Sequence, residues 1–315
     1  MPQSAFTLVL AALAAAAVWS GTAHSQESGA PAWEVTLDND KWASGTDRHY
    51  THGTRITRRS ADVPRWLRRA AGGFACMACT AASAVAFQAG QEIYTPEETW
   101  RTDLVAHDRP YAGWSYVAAT LFAERSTARE RRTAFNVVGL QVGIVGPASL
   151  AERTQELIHD RKSVRRPRGW DHQLANEPGV LATFERGFVR AVGRTRRVDV
   201  APYFAAAGGN VLAYAGGGVR LRAGSDLGFG PVATRGWRVF LDVEARAVAR
   251  NIFLDGNTLT DSHSVAKERL VAVAGAGVEY GGERVRLAVA AEARSPEFVG
   301  QRSPDRFTSL TFSLR

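Results

Sequence analysis

Cysteine, lysine and long apolar runs are all scarce in this chain of 315 residues. Two cysteines are too few for a disulfide scaffold. The basic residues outnumber the acidic ones, 39 to 31, yet lysine occurs only as Lys41, Lys162 and Lys267, so arginine carries nearly all of the +8 net charge. That charge is dispersed along the chain, which argues against a nucleic-acid partner. No G-x-S-x-G is present, which removes the nucleophile elbow of serine esterases. The 45% hydrophobic and 22% charged fractions exclude wholesale disorder. Glycine, at 30 residues, favours turns and strands over long helical bundles.

The apolar run Phe6 to Trp19, followed by Ala23-His24-Ser25, has the h-region and small-x-small site of a secretory signal. Residues 1–25 are therefore read as a signal peptide and 26–315 as the exported protein. Residues 70–90 are uncharged but contain no Leu or Ile, which makes them a poor membrane helix. Cys76 and Cys79 lie there as a C-x-x-C without further ligands nearby, so a small local disulfide is the simplest reading.

Most of the remainder has a period of two. From Val239 to Ala249 the odd positions are Val, Leu, Val, Ala, Ala and Ala, while Asp242, Glu244 and Arg246 fall between them. Val285, Leu287, Val289, Ala291 and Ala293 alternate with Arg284, Arg286, Glu292 and Arg294 in the same way, and Leu310, Phe312 and Leu314 with Ser and Thr. A soluble sandwich alternates too, but strands of about ten residues with a plain Ala/Val/Leu face are the dyad signature of an outer-membrane barrel. The expected fold is all-β: a transmembrane antiparallel barrel of about 12 strands with a helix in an extracellular loop. Strands are expected to begin near Trp33, Tyr50, Ala84, Tyr111, Thr133, Val180, Val198, Val211, Trp237, Arg269, Arg284 and Phe307. With both termini in the periplasm, the loops after strands one, three and five share the extracellular rim.

Those loops hold the unusual residues. Asp38-Asn39-Asp40, then Thr46-Asp47 and Thr51, offer hard oxygen donors suited to calcium, though the same residues serve ordinary turns. The spacing is not that of an EF-hand. In the next loop, Tyr111 and Trp114 suit an aromatic girdle, and a girdle with a salt bridge is the plain reading of the loop. Ser149-Leu150-Ala151-Glu152 fits a capping box opening a helix. On that helix Gln155 and His159 share a face, and Leu150, Leu157 and Ile158 are expected to pack it on the rim. A solvated histidine is the plainer reading of His159. Gly228 to Ala233 fits G-x-G-x-x-A, but Pro231 inside it makes it a turn.

Taken in order, Asn39-Asp40, Thr46-Asp47, Tyr50-Thr51, Gly53, Asp108 to Trp114, Val145-Gly146-Pro147, Gln155, His159, Gly169-Trp170-Asp171, Gln173 and Asn176-Glu177-Pro178 resemble the outer-membrane lipid A 3′-O-deacylases. The resemblance implies calcium-dependent hydrolysis of the ester linking the 3′ acyloxyacyl chain to lipid A, in a site between the barrel wall and a loop helix. It implies His159 as general base, Asp40 with Asn39 at the calcium site, and Thr51 and Gln155 as further active-site residues. The resemblance places Arg101 where some members have a basic residue near the substrate, and Arg109 is assigned to substrate with it, a rim guanidinium being able to grip phosphate bidentately; a compositional bias accounts for the arginine excess equally well. An imidazole base and a calcium electrophile form a coherent esterase without a serine. His52, His107 and the basic run from Arg161 to Arg168 depart from the family pattern. The implied partners are lipid A or lipopolysaccharide and outer-membrane lipid, with the protein a monomer. An outer-membrane phospholipase and a non-enzymatic pore or structural barrel are the rival readings.

Overall fold

The computed structural model describes residues 32–40, 48–69, 82–127, 132–163, 165–193, 195, 197–225, 227 and 236–314. The signal segment, Cys76 and Cys79, Thr46-Asp47 and the Gly228 to Ala233 turn lie outside these residues.

Twelve antiparallel strands close into one barrel: β1 (Ala32–Asn39), β2 (His49–Ser60), β3 (Ala82–Thr95), β4 (Ala112–Thr127), β5 (Arg132–Val145), β6 (Glu177–Val192), β7 (Val198–Gly209), β8 (Leu212–Gly224), β9 (Gly236–Asn251), β10 (Leu270–Gly281), β11 (Val285–Arg294) and β12 (Asp305–Leu314). Each begins within three residues of its expected start. Neighbours in sequence pair throughout, and β1 pairs with β12, from Trp33 opposite Leu314 to Asn39 opposite Thr308. Closure leaves no strand edge to be satisfied by another chain. Among the described residues no helix is long and apolar enough to cross a membrane.

The alternation sorts residues as expected. Val239, Leu241 and Val243 are exposed on the outer face, while Arg238 and Glu244 are buried inside. Interior charges are paired: Glu34 with Arg59 and Arg286, Asp38 with Arg55, Asp199 with Arg222, and Asp242 with Arg220. Such pairing is what makes buried charges tolerable.

The mouth at the end where β1 stops is filled. Helix α2 (Ile252–Asp255), following β9, buries Ile252, Phe253 and Leu254. Phe253 stacks on Tyr94 with ring centroids 4.0 Å apart, and Tyr50 packs on Phe307 at 4.6 Å. Trp114 belongs to the same inner cluster and stacks on Tyr116. The expected girdle role of Trp114 and Tyr111 is therefore corrected. Trp114 has the inward parity of its strand, and Tyr111 is buried against Trp170.

Candidate active site

Along β1 the outward positions are Trp33, Val35, Leu37 and Asn39, so Asn39 stands on the lipid-facing side of the wall although it is buried. Its Nδ2 donates to the Thr51 carbonyl at 3.3 Å, and the Asp40 amide reaches the same carbonyl at 3.4 Å. The Arg48 amide donates to Asp40 Oδ2 at 2.5 Å. Thr51 is the extra residue of a bulge between Tyr50 and His52 in the β2–β3 pairing, and its hydroxyl meets that of Thr95 at 2.7 Å. A bulge re-aims side chains at the end of a strand. With its amide nitrogen engaged, Asn39 leaves Oδ1 as a buried acceptor without a hydrogen-bond partner. That orphaned oxygen, the Asp40 carboxylate and the Thr51 and Thr95 hydroxyls are a hard donor set that suits calcium. Among the described residues no group of three or more His, Cys, Asp or Glu gathers to hold a metal. A cation here would therefore draw on amide and hydroxyl oxygens beside one carboxylate.

The second group sits on helix α1 (Ala151–Lys162), between β5 and β6. The expected capping box is absent. Gly146, at φ 95°, and Pro147 set a 3-10 turn that ends at Ser149, and Leu150 precedes the helix in the left-handed conformation with no side-chain cap. Ser149 instead presents its carbonyl to the barrel, accepting from Gln91 Nε2 at 2.6 Å and Ser115 Oγ at 2.7 Å. Both donors stand on the outer face of the wall.

The helix also faces differently from expectation. Its buried stripe is Ala151, Gln155 and His159, successive i, i+4 positions, whereas Leu150 and Leu157 are each 51% exposed. The polar side is turned to the protein and the leucines away from it. Ala151 packs with outward-facing Ile93, Tyr111 and Trp170. Trp170 Nε1 donates to Gln155 Oε1 at 2.9 Å, which leaves Gln155 Nε2 as a buried donor without a partner. His159 Nδ1 donates to the Arg165 carbonyl at 2.6 Å, a bond that puts the imidazole lone pair on Nε2. The basic run has a local purpose. Arg166 forms a two-pronged contact to Asp160, at 2.6 and 2.5 Å, which folds the chain after α1 back so that the Arg165 carbonyl meets the ring.

The two groups stand at the ends of one row on the outer wall. Asn39 is opposite His52, His52 opposite Ile93, and Ile93 opposite Gly113, which lies under the start of α1. Three strand spacings make this row about 14 Å long.

The arginines fare differently. Arg109 is buried, with Nη2 2.8 Å from Glu297 and 3.7 Å from Asp305, and its guanidinium lies over Tyr94 and Phe298. It ties the β3–β4 connection to the β11–β12 connection, and a substrate-gripping role does not fit that placement. Burial alone would raise the Glu297 carboxyl, but the neighbouring cations Arg109 and Arg294 overcome this and hold it down at about 2. Arg101 is partly exposed and paired with Glu98 at 3.0 Å and with Asp103. Its loop abuts the Gly169-Trp170 corner, where the Arg168 amide donates to the Thr99 carbonyl at 2.9 Å. Trp170, Thr95 and Gly113 were given no site role by sequence reasoning. The Gly169-Trp170-Asp171 block was the available signal for the first.

The pattern of the family described as "Outer membrane protein LpxR" matches residues 6–315. The chain belongs to that family. The structure is similar to LpxR from Salmonella typhimurium, with a TM-score of 0.73 and 20% identity, over 90% of this chain and 99% of that one. It also aligns with the translocator domain of the autotransporter NalP from Neisseria meningitidis, but at a TM-score of 0.41 and 8% identity, over 92% and 89% of the two chains. No curated protein matches the sequence. LpxR membership and the twelve-stranded barrel make this chain an outer-membrane protein.

Proposed function

We propose that the protein is a lipid A 3′-O-deacylase that hydrolyses, with calcium, the ester holding the 3′ acyloxyacyl chain. The observation that carries this reading is the buried polar stripe of α1, Gln155 and His159, laid against the lipid-facing side of the wall. A site opening there meets an acyl chain in the leaflet rather than a solute in the lumen. His159 lies eight residues beyond Ala151, about 12 Å along the helix, a reach comparable to the row that separates Gly113 from Asn39.

In this mechanism His159 Nε2 takes a proton from the attacking water while the Arg165 carbonyl holds Nδ1–H, keeping the base in one tautomer. Gln155 Nε2, aimed by Trp170, donates to the ester oxygen as negative charge develops there. Asn39 Oδ1 and Asp40 would hold the calcium ion, which when bound supplies Lewis-acid polarisation of the ester carbonyl. Thr51 keeps both residues in place through its carbonyl. Collapse returns the proton from His159 to the departing sugar oxygen, so ester and water become a carboxylic acid and an alcohol. Of the two rim arginines, Arg101 is the one with surface left to meet a lipid A phosphate. The rim with the long connections faces outward, the end where β1 begins and β12 stops faces the periplasm, and the closed barrel works as a monomer.

The test is mass spectrometry of lipid A incubated with the purified protein in detergent, with calcium or with chelator, beside His159→Ala and Asp40→Asn. Loss of one acyloxyacyl unit with calcium and the intact residues supports the reading. Unchanged lipid A under every condition overturns it.

A further inference from the structure

The connection from β2 to β3 runs from residue 61 to 81, whereas the β6–β7 and β10–β11 connections at the same end of the barrel are short turns. Its first part does not hang free. Val63 is buried against Val85 and Leu121, with Leu67 and Phe87 packed beside them. Val85 and Leu121 are register partners, and both stand on the outer face, opposite in parity to the lumen-facing Ala84, Ala86 and Phe122. Higher on the same face of β4, Val117 is 58% exposed. Residues 61–69 thus cover the lipid-facing wall where it would otherwise be bare.

Residues 65–69 form a single helical turn, tied by the Arg68 amide to the Pro64 carbonyl at 3.0 Å and by Arg68 Nη2 to the Val63 carbonyl at 2.8 Å. What the segment turns outward is Trp66, 64% exposed, and the arginines at 65, 68 and 69. Arg58, exposed on the outer face of β2 opposite Phe87, adds a further cation. Arg58, Arg65 and Arg69 have no carboxylate partner among the described residues, and the one nearby acid, Asp62, is exposed.

We propose that residues 61–69 are an interfacial anchor that binds the anionic headgroups of glycerophospholipids at the end of the barrel where β1 begins and β12 stops. Three features point to this occupant. The segment is continuous with the lipid-facing band through Val63, Val85 and Leu121. An exposed tryptophan favours the headgroup level, where its ring is apolar and its N–H is wet. Unpaired arginines on short apolar footing can extend to phosphate while their stems stay in lipid, as in basic interfacial helices. The choice of glycerophospholipid over lipopolysaccharide, which also carries phosphate, rests on the orientation proposed above, with this end facing the periplasmic leaflet.

The experiment is native mass spectrometry of the full protein released from micelles doped with equal phosphatidylglycerol, phosphatidylcholine and lipid A. Wild type is expected to retain phosphatidylglycerol several-fold over phosphatidylcholine, whatever lipid A it holds at the α1 site. Arg65→Gln/Arg69→Gln is expected to lose at least threefold of that preference, whereas Arg65→Lys/Arg69→Lys keeps it, and both should migrate as folded, heat-modifiable barrels. Trp66→Phe in vesicles of brominated phosphatidylglycerol should remove part of the fluorescence quenching. No anionic preference in wild type, an undiminished preference in the glutamine variant, or a glutamine variant that loses lipid A instead of phosphatidylglycerol would each overturn the anchor. None of these readouts requires deacylation, so a failure of the enzyme reading is seen separately.

Discussion

Gly113 lies directly beneath the start of helix α1: a Cβ built on it would stand 2.1 Å from Ser149 Oγ and 2.2 Å from Ala151 Cβ. The Ser149 hydroxyl could turn aside but the Ala151 Cβ cannot, so the helix can rest on the wall only because this position has no side chain. The Gln91 and Ser115 bonds to the Ser149 carbonyl secure the same contact.

Gly113→Ala should therefore lift the start of α1 while leaving the strand pairing intact. Misplacing catalytic groups by about an ångström costs on the order of a hundredfold in rate. Lipid A hydrolysis is expected to fall by about that factor, with heat-modifiable migration unchanged. Unaltered hydrolysis would separate the helix position from catalysis.

Trp170→Phe keeps the ring contact with Tyr111, whose centroid is 4.8 Å away, but removes the Nε1–H that orients Gln155. One lost hydrogen bond of about 1 kcal/mol corresponds to roughly a fivefold fall in kcat. Gln155→Ala removes the donor itself and should cost about a hundredfold. Steady-state kinetics on lipid A in mixed micelles checks both.

Arg101→Ala tests the remaining rim arginine. Loss of a phosphate contact made equally in ground and transition states raises KM, by roughly fivefold, and leaves kcat alone. Its exposed pairing with Glu98 and Asp103 contributes little to stability, so unfolding should hardly change.

The buried Arg109–Glu297 pair predicts a pH dependence. Glu297 sits at about 2 in the folded protein against an ordinary 4.5. Its ionisation therefore stabilises the fold above about pH 4.5, and that contribution disappears as the pH falls from there through about 2. Thermal unfolding in detergent between pH 7 and 3 should show the loss, and Glu297→Gln should flatten it. Arg109→Met, which removes the cation bonded to the buried Glu297 carboxylate, is expected to cost about 3–5 kcal/mol.

The barrel was legible because lipid covers one face and a polar interior the other, so a period of two is written into strands such as Val239 to Ala249. Aromatic residues were less legible. Tyr111 and Trp114 have the composition of a girdle, yet parity sends Trp114 into the mouth and α1 covers Tyr111. Ser149 and Glu152 match a capping box in spacing, but the Gly146-Pro147 turn carries Ser149 into the segment before the helix. Arg109 stands among residues that suggested substrate, and only the distant Glu297 and Asp305 reveal its use.

By itself the sequence determined the strand count, the face each strand residue takes and which connections share a rim, because these follow from local alternation and from the order of strands and turns. Tertiary structure decided which polar groups are held for chemistry. Asn39 and Asp40 are set by a bulge one strand away, and Gln155 and His159 are turned inward because Gly113, Ser115 and Gln91 fix the start of their helix. Those contacts join residues 12 to 58 positions apart in the chain, and only the pairing of neighbouring strands and the docking of α1 on them bring them together.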